Sequence, residues 1–255
     1  MKKIYLNISQ IKFPKITYGF FTRVGGYSKN NYESLNCSYT SGDDLAVVKK
    51  NIDFAKKYLK LKDKKLKLTK QIHSNFISEI NNKNFKLASE SDGLITKNSS
   101  IALGVLTADC APIFIFDKRN SFICCLHSGW KGTLNNIVNN SINLIKKYNV
   151  NLDDIIAIVG PCLGKQNYEV SKEFKENFIA KNNKYICFFK NKNKYKELFD
   201  MRGVINFQLK EKGISNIYNI NEDTYQKKHL FFSHRRSIHE DKAFTGRMLN
   251  IISFK

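Results

Sequence analysis

Three side chains that bind soft metal ions stand far apart in the sequence: His73 in QIHSN, Cys110 in LTADCAP and His127 in CLHSGWKG. Each of them lies where a β-like apolar run meets a turn. A thiolate with two neutral imidazoles suits zinc, and three protein ligands leave a fourth tetrahedral position for water or substrate. The three residues therefore predict a metal site with an open position, which is typical of catalysis.

A candidate anion site follows His127 directly. The sequence SGWKG, residues 128–132, comes immediately before a predicted helix. Free backbone N–H groups at a helix start, glycines that allow close approach and a lysine together suit an anion such as phosphate. We therefore predict that Ser128, Gly129 and Lys131 bind an anion beside the metal site.

Strands and helices alternate along the chain and must position these residues. Helices are indicated by apolar residues three and four positions apart, and strands by short apolar runs between turn residues. We predict helices at 41–61, 132–148, 171–180 and 200–213, and strands at 16–23, 65–69, 76–80, 101–106, 113–116, 122–127, 155–159, 186–189, around Ile217, around Phe231 and at 248–254. This mixed order predicts an α/β protein whose sheets are covered by helices.

Composition limits the class of protein. With 255 residues, 42% of them hydrophobic, the chain can bury a substantial core. It contains no apolar stretch of about 18 residues, and residues 1–15 lack the apolar middle of a signal peptide. We therefore expect a cytoplasmic protein without a membrane partner. Its six cysteines are too sparse for a disulfide framework, so we expect thiols, with Cys124 and Cys125 in the core.

The formal charge of +21 raises the alternative of a basic nucleic-acid-binding protein. Most of the excess is lysine, scattered along the whole length with asparagine and isoleucine, which favours compositional bias over a binding surface. We therefore expect no nucleic-acid partner. The positive field would still attract small phosphorylated ligands. Binding of nucleic acid that is lost at high salt would indicate the non-enzymatic alternative.

Seven motifs occur in order over nearly the whole chain: TRVGGYS, QIHS, SDGLIT, TADCAPIFIFD, HSGWKGT, GPCLG and FFSHRR with TGR. Together they resemble the YfiH-like family, which is also called laccase-domain or polyphenol oxidase-like and is described as purine nucleoside phosphorylases. The resemblance implies that His73, Cys110 and His127 are zinc ligands. It also implies one domain over residues 1–255, an α+β arrangement of four layers, α/β/β/α, with mixed sheets and a relation to CNF-type toxin deamidases.

The resemblance further implies phosphorolysis of adenosine, inosine, guanosine and methylthioadenosine, with adenosine deamination as a side activity. Phosphate would be the co-substrate that attacks the ribose, so the site needs a cationic cradle, and Arg23 is a candidate together with residues 128–132. Deamination would use water activated by zinc and a carboxylate that carries protons. Asp109 is the first candidate for that carboxylate and Asp92 the second.

Structural roles are the alternative for several of these residues. His73 would then cap a strand, His127 would be a hydrogen-bonded interior histidine, Arg23 would join a loop to a carboxylate, and Asp92 would make a turn. Cys162 in GPCLG is as consistent with a structural thiol as with one that lines a site.

Two other enzyme classes remain open from the sequence. A cysteine-dependent amidase or hydrolase would use Cys110 as the nucleophile and His127 as the base. A copper-type polyphenol oxidase is disfavoured, because such enzymes need several imidazole-rich copper centres and this chain has five histidines. The chain also departs from the family at Asp223 and His234, where many members have Cys and Tyr. The sequence ranks neither the nucleosides nor the oligomeric states.

Overall fold

The computed structural model describes residues 3–8, 13–87 and 90–255. The helices are α1 (Leu45–Tyr58), α2 (Trp130–Leu134), α3 (Ile137–Lys146), α4 (Lys172–Lys181), α5 (Met201–Glu211) and α6 (His234–His239). The strands are β1 (Tyr5–Leu6), β2 (Ile16–Phe21), β3 (Lys65–Lys67), β4 (Ile77–Glu79), β5 (Gly93–Thr96), β6 (Ile101–Thr107), β7 (Ala111–Asp117), β8 (Ile123–Ser128), β9 (Ile155–Val159), β10 (Glu169–Ser171), β11 (Phe189–Asn191), β12 (Lys196–Phe199), β13 (Asn216–Asn219) and β14 (Met248–Phe254).

Two mixed sheets form the centre of the fold. The first has the strand order β1-β2-β14-β6-β3 and the second has the order β13-β9-β7-β8-β5-β4. Most neighbouring strands are antiparallel, but β3 pairs parallel with β6, β4 with β5, and β13 with β9. A small third sheet joins β10, β12 and β11.

The two large sheets face each other and are each covered by helices. Phe20 of β2 stacks on Phe114 of β7 across the interface, with ring centroids 4.4 Å apart. A second apolar cluster joins the other face of β7, β8 and β9 to α3 and α5, and a third joins β14 to α1. The order α1, first sheet, second sheet, α3 with α5 confirms the four-layer arrangement.

Helix α1 shows how local sequence produces one of these layers. The Asp44 carboxylate caps the helix by accepting hydrogen bonds from the amides of Ala46 and Val47. The buried residues Val48, Ile52 and Ala55 are four and three positions apart, so they share one face of the helix. Burial of an aliphatic side chain such as Val48 or Ile52 stabilises the fold by about 2 kcal/mol.

The predicted helix over 132–148 is wrong as a single element. It is divided into α2 and α3 at Asn136, whose φ of 55° is left-handed and interrupts helical hydrogen bonding. The Asn136 side chain accepts a hydrogen bond from the amide of Asn139 and so begins α3.

Two predicted strands are also wrong. Residues Asn183–Phe188 form a 3-10 helix, and β11 begins only at Phe189. Phe231 lies in a loop before α6, where it is buried with Phe232, Ala108 and Met248. The apolar character of these segments serves packing between elements, which a short run does not distinguish from a strand.

The connection between β6 and β7 matters most for the site. Strand β6 belongs to the first sheet and β7 to the second, so residues 108–110 cross between the sheets. The crossing turn needs an unusual backbone conformation, and Asp109 adopts a φ of 90° there. This turn brings Cys110 to the sheet that contains His127.

Among the helices of the described residues, none has both the length and the apolar composition needed to cross a membrane.

Candidate metal centre

The structure brings the three predicted ligands together. The ligating atoms of His73, Cys110 and His127 all lie within 4.8 Å of one another. The distance from Cys110 Sγ to His73 Nε2 is 3.9 Å. Tetrahedral zinc with ordinary Zn–S and Zn–N bonds holds such atoms roughly 3.6 Å apart. The donor set and its spacing therefore fit one zinc ion.

Asp92 orients His127. The Nδ1 atom of His127 lies 2.7 Å from Asp92 Oδ1, and both side chains are buried. Donation from Nδ1 to the carboxylate leaves Nε2 as the metal-binding nitrogen, an arrangement that is common around zinc. Burial alone would raise the pKa of Asp92, but its hydrogen bonds to His127 and Ser74 outweigh that effect and lower the pKa to about 2.

The same carboxylate shapes the loop of His73. Asp92 accepts hydrogen bonds from the backbone amides of Ile72, His73 and Ser74 at 3.2, 3.0 and 2.6 Å. His73 has a left-handed φ of 58°, which is uncommon for a residue other than glycine. Three amides converging on one carboxylate stabilise this conformation. Asp92 therefore holds two of the three ligands.

Asp109 holds the turn that carries the third ligand, Cys110. Its buried carboxylate accepts hydrogen bonds from Thr224 Oγ1 at 2.6 Å, Ser233 Oγ at 2.9 Å and the Arg235 amide at 2.7 Å. These bonds tie the turn that carries Cys110 to the carboxy-terminal third of the chain. Both carboxylates are thus engaged in hydrogen bonds that hold the ligands, and we propose positioning roles for Asp92 and Asp109 in place of the predicted proton carriers.

The lack of a side chain at Gly129 allows Cys110 and His73 to lie close to the backbone there. A Cβ atom at this position would lie 2.9 Å from Cys110 Sγ and 3.0 Å from His73 Cδ2, closer than ordinary van der Waals contact. A larger residue at this position would displace Cys110 Sγ or the His73 ring from the cluster.

The rest of the predicted anion loop contacts other parts of the protein. The Ser128 hydroxyl is buried and lies 2.9 Å from Thr133 Oγ1. The Lys131 ammonium lies 5.5 Å from the centre of the Trp130 ring. Helix α2 has only five residues, so it offers a weak dipole. Neither Ser128 nor Lys131 lines the cavity that borders the three ligands.

Arg23 also lies away from the cluster. Its guanidinium donates to the carbonyl oxygens of Glu33 and Lys228 and stacks on Phe232, 4.6 Å from the ring centre. Arg23 therefore joins two loops, and this geometry does not support the prediction that it holds phosphate.

An open cavity of about 600 Å³ borders the three ligands, and we call it the cluster cavity. Its wall consists of Ser38, Tyr39, Thr40, Leu68, Thr69, Lys70, Gln71, His73, Leu106, Ala108, Cys110, His127, His234 and Arg247. The sequence reasoning assigned no role to Tyr39, Gln71 or Arg247. Gln71 and Arg247 do belong to the QIHS and TGR motifs, which was the available signal.

Cys110 differs electrostatically from the buried cysteines. Burial opposes its ionisation, but His127 and His73 outweigh that effect and lower the pKa of Cys110 to about 6. Burial likewise opposes protonation of His127, but Cys110 and Asp92 raise the pKa of His127 to about 9. Burial raises the pKa of Cys162 to about 11 and that of Cys124 further. Without a metal, Cys110 and His127 form a thiolate and imidazolium pair.

Comparisons with known proteins identify the family. The model of the family described as multi-copper polyphenol oxidoreductase laccase matches residues 17–255. A purine nucleoside phosphorylase of Rickettsia prowazekii is 31% identical over 242 residues, covering 94% of this chain and 97% of that protein. The purine nucleoside phosphorylase YfiH of Escherichia coli is 28% identical, covering 91% of this chain and 90% of that protein.

Solved structures show the same fold. A Neisseria meningitidis protein aligns with a TM-score of 0.89 at 24% identity, over 99% of this chain and 100% of that one. The hypothetical protein YfiH of Bacillus licheniformis aligns with a TM-score of 0.86 at 27% identity, over 94% and 93%. From the match of residues 17–255 we conclude that the chain belongs to the multi-copper polyphenol oxidoreductase laccase family, which is the YfiH-like family.

Proposed function

We propose that this protein is a zinc-dependent purine nucleoside phosphorylase. The observation that carries the proposal is the His73, Cys110 and His127 cluster on the wall of the cluster cavity. The names of the relatives supply the reaction class, since they are purine nucleoside phosphorylases that align over nearly their whole length. The substrates that we propose are adenosine, inosine, guanosine and methylthioadenosine.

In this reaction an oxygen of phosphate forms a bond to ribose C1′ while the bond from C1′ to the purine nitrogen breaks. The electron pair of the broken bond leaves with the purine, and the purine gains the proton that phosphate loses. Zinc bound by the three ligands would supply a positive charge and a Lewis acid beside these atoms.

The residues of the chain position the metal ligands and form the walls of the cavity. Asp92 holds His73 and His127, and Asp109 holds the turn of Cys110, so the ligands are preorganised. Leu68, Leu106 and Ala108 give the cavity an apolar wall. A volume of about 600 Å³ lies within the usual range of small-molecule sites and suits a nucleoside.

We propose adenosine deamination as a side activity of the same cluster. Deamination needs a proton carrier beside the attacked carbon. Asp92 and Asp109 are engaged in the hydrogen bonds that hold the ligands, and the pKa of Asp92 is lowered to about 2, so Asp92 is a weak base. We therefore expect deamination to be slower than phosphorolysis.

The test is incubation of the zinc-loaded protein with inosine or adenosine, with and without phosphate. We expect free base and ribose 1-phosphate that form only when phosphate is present and are lost in His73→Ala and Cys110→Ala. The exposed residues Cys187 and His229 offer matched controls, because Cys187→Ala and His229→Ala should keep wild-type activity. Full activity in both ligand variants would overturn the site assignment.

The second candidate is a cysteine-dependent amidase or hydrolase, which the lowered pKa of Cys110 favours. Thiolate coordinated to zinc is a poor nucleophile, so this activity would require metal-free protein. Zinc content separates the two functions: chelation should abolish phosphorolysis, whereas it should increase amide hydrolysis if Cys110 is the nucleophile.

Multi-copper oxidation is not supported by the ligand count. The chain has five histidines, and among the described residues His73, Cys110 and His127 form the one histidine and cysteine cluster with metal-binding geometry. Several imidazole-rich copper centres need more ligands than that.

A further inference from the structure

Arg247 lines the cluster cavity beside the three ligands. Its Nη1 atom donates to the carbonyl oxygens of Thr245 and Gly246, at 3.0 and 3.1 Å. Within the described part of the chain, its Nε and Nη2 atoms have no hydrogen-bond partner, and no carboxylate lies within 4.0 Å of the guanidinium. Arg247 therefore presents unused donors on the cavity wall.

A half-buried cation without a counterion is costly. Desolvation lowers the pKa of Arg247, whereas Cys110 and Asp109 raise it, and arginine stays protonated in proteins under such conditions. Groups that lose water without a partner destabilise a fold unless a ligand supplies the partner. The planar guanidinium matches the geometry of phosphate and carboxylate oxygens, so an anion is the expected partner.

The other half-buried arginines use their donors within the protein. Arg236 donates to the carbonyl oxygens of Thr224, Tyr225 and Phe231. Arg202 donates to the carbonyl oxygens of Val159 and Glu222 and to Cys162 Sγ.

Arg235 donates to the carbonyl oxygen of Glu169, and Arg23 donates to backbone carbonyls as described above. Of these half-buried arginines, only Arg247 contributes to the wall of the cluster cavity.

The backbone at Arg247 is held firmly. Its amide donates to Asn36 Oδ1 at 3.0 Å, and its carbonyl oxygen accepts from the Cys37 amide at 3.1 Å. Asn36 is buried and in turn donates to Asp43. This support fixes the start of the Arg247 side chain before a ligand arrives, which reduces the entropy lost on binding.

His234 offers a second donor on the same wall. Its ring has no hydrogen-bond partner among the residues that the structure describes. Desolvation in the cavity and the charge of Arg247 lower the pKa of His234, so the ring is neutral near pH 7 and carries one N–H donor. By contrast, the Gln71 amide on this wall is paired with the backbone of Leu106, to which it donates through Nε2 and from which it accepts at Oε1.

We propose that Arg247 and His234 form the oxyanion subsite that holds inorganic phosphate beside the His73, Cys110 and His127 cluster. The identity of the anion as phosphate rests on the proposed function, whereas the anion site itself is inferred from the unused donors of Arg247 and His234. It replaces the cradle that the sequence suggested at Arg23 and residues 128–132, because Arg23, Ser128 and Lys131 do not reach the cavity. Arg247 supplies the charge, and His234 adds a neutral hydrogen bond.

The experiment measures binding of inorganic phosphate to the zinc-loaded protein by calorimetry, and separately the KM values for phosphate and for inosine. We expect Arg247→Gln to weaken phosphate binding at least about tenfold and to raise the KM for phosphate accordingly, because it removes a charge-assisted hydrogen bond. Arg247→Lys keeps the positive charge, so it should lose less phosphate affinity than Arg247→Gln. His234→Ala should weaken binding about threefold, as expected for loss of one neutral hydrogen bond.

The control is Arg119→Gln, which removes one positive charge from an exposed site and should leave phosphate binding unchanged. Zinc content and thermal unfolding of each variant show whether it is folded and loaded, and the KM for inosine should change less than twofold. Structural damage would instead change both KM values, and Arg247→Lys provides a second measurement if Arg247→Gln does not fold.

The outcomes separate this inference from the proposed function. Phosphate binding that requires Arg247, in a protein without phosphorolysis, would keep the subsite and reject the proposed function. Phosphorolysis with an unchanged KM for phosphate in Arg247→Gln and Arg247→Lys would keep the function and overturn the subsite. Failure of the zinc-loaded wild type to bind phosphate would also overturn the subsite.

Discussion

The cluster cavity and a larger cavity in the same protein differ in how their polar groups are used. The larger cavity, of about 1000 Å³, is bordered by residues 163–167 and 221–223, by Tyr225, Gln226 and Lys228, and by parts of α5 and α6. There Asp223 accepts from Asn167 and from the Tyr225 amide, and the Tyr225 hydroxyl lies 2.9 Å from His239 Nδ1. Asp223, Tyr225 and His239 are thus bonded to neighbouring groups of the protein.

The smaller cluster cavity instead contains groups that lack partners. It holds three side chains whose geometry could bind one metal ion, and the donors of Arg247 and His234 are unused within the described residues. The difference teaches that unused donors and metal-ligating atoms, and not volume, distinguish the cavity that we propose as the binding site. Preorganised groups without internal partners are ready to bind a ligand, whereas a satisfied network mainly stabilises the fold.

Removal of the metal should have the largest effect. We expect chelated protein to lose phosphorolysis completely and to become reactive to iodoacetamide at Cys110, because a thiolate without zinc is a free nucleophile. Mass spectrometry of the Cys110 peptide measures the labelling, and Cys124 and Cys162 should remain unlabelled because they are buried. Added zinc should restore activity and protect Cys110. Protection without recovery of activity would contradict a catalytic role for the metal.

Asp92→Asn should have the next largest effect. It removes the charged acceptor for His127 Nδ1 and for the amides of the His73 loop. We expect zinc affinity to fall about 10-fold to 100-fold, the usual loss when the partner of a metal-binding histidine is removed. Competition with a chromophoric chelator measures the affinity. An unchanged affinity would show that the ligands are held without Asp92.

A matched pair of glycine substitutions compares the two cavities directly. In Gly129→Ala the new Cβ would lie 2.9 Å from Cys110 Sγ, so we expect activity and zinc affinity to fall about tenfold. In Gly164→Ala the new Cβ would overlap Asp223 Oδ2, so we expect destabilisation by about 1–3 kcal/mol with activity retained. Activity assays and urea unfolding test both expectations. The opposite pattern would place the active site at the larger cavity.

The smallest effect should follow from Asp223→Asn at the larger cavity. The variant keeps an acceptor for the Tyr225 amide while removing the charge. We expect catalysis and phosphate affinity to stay within about twofold of wild type, because only a hydrogen-bond network within the protein is altered. Steady-state kinetics measure both quantities. A larger loss would show that the two cavities are coupled and would weaken the comparison.

Much of the fold could be predicted from local sequence. The apolar runs of β6, β7, β8, β9 and β14 and the helical spacing of α1 and α5 indicate these elements, because burial imposes its period on the sequence. The break at Asn136 and the loop around Phe231 could not be predicted in the same way. Their conformations depend on one left-handed residue and on packing against Ala108 and Met248.

For the candidate site too, some residues could be predicted from the sequence and others only from the structure. Residue type together with position, where an apolar run meets a turn, and the family motifs indicated His73, Cys110 and His127. Asp92 is a candidate proton carrier by sequence, but in the structure it accepts hydrogen bonds from three successive amides and from a histidine 35 positions away, so we propose a positioning role for it. The choice of Arg247 over Arg23 required knowledge of which guanidinium has unused donors.

By itself, the sequence determined the ligand types, the apolar segments that carry them and the family to which the chain is similar. Only the tertiary structure decided that residues 108–110 cross between the sheets, which arginine reaches the cavity, and which carboxylates hold ligands in place. The physical reason is distance along the chain. Ligand chemistry belongs to single residues, but a hydrogen-bond partner 115 positions away, such as Thr224 for Asp109, is chosen by the packing of whole sheets.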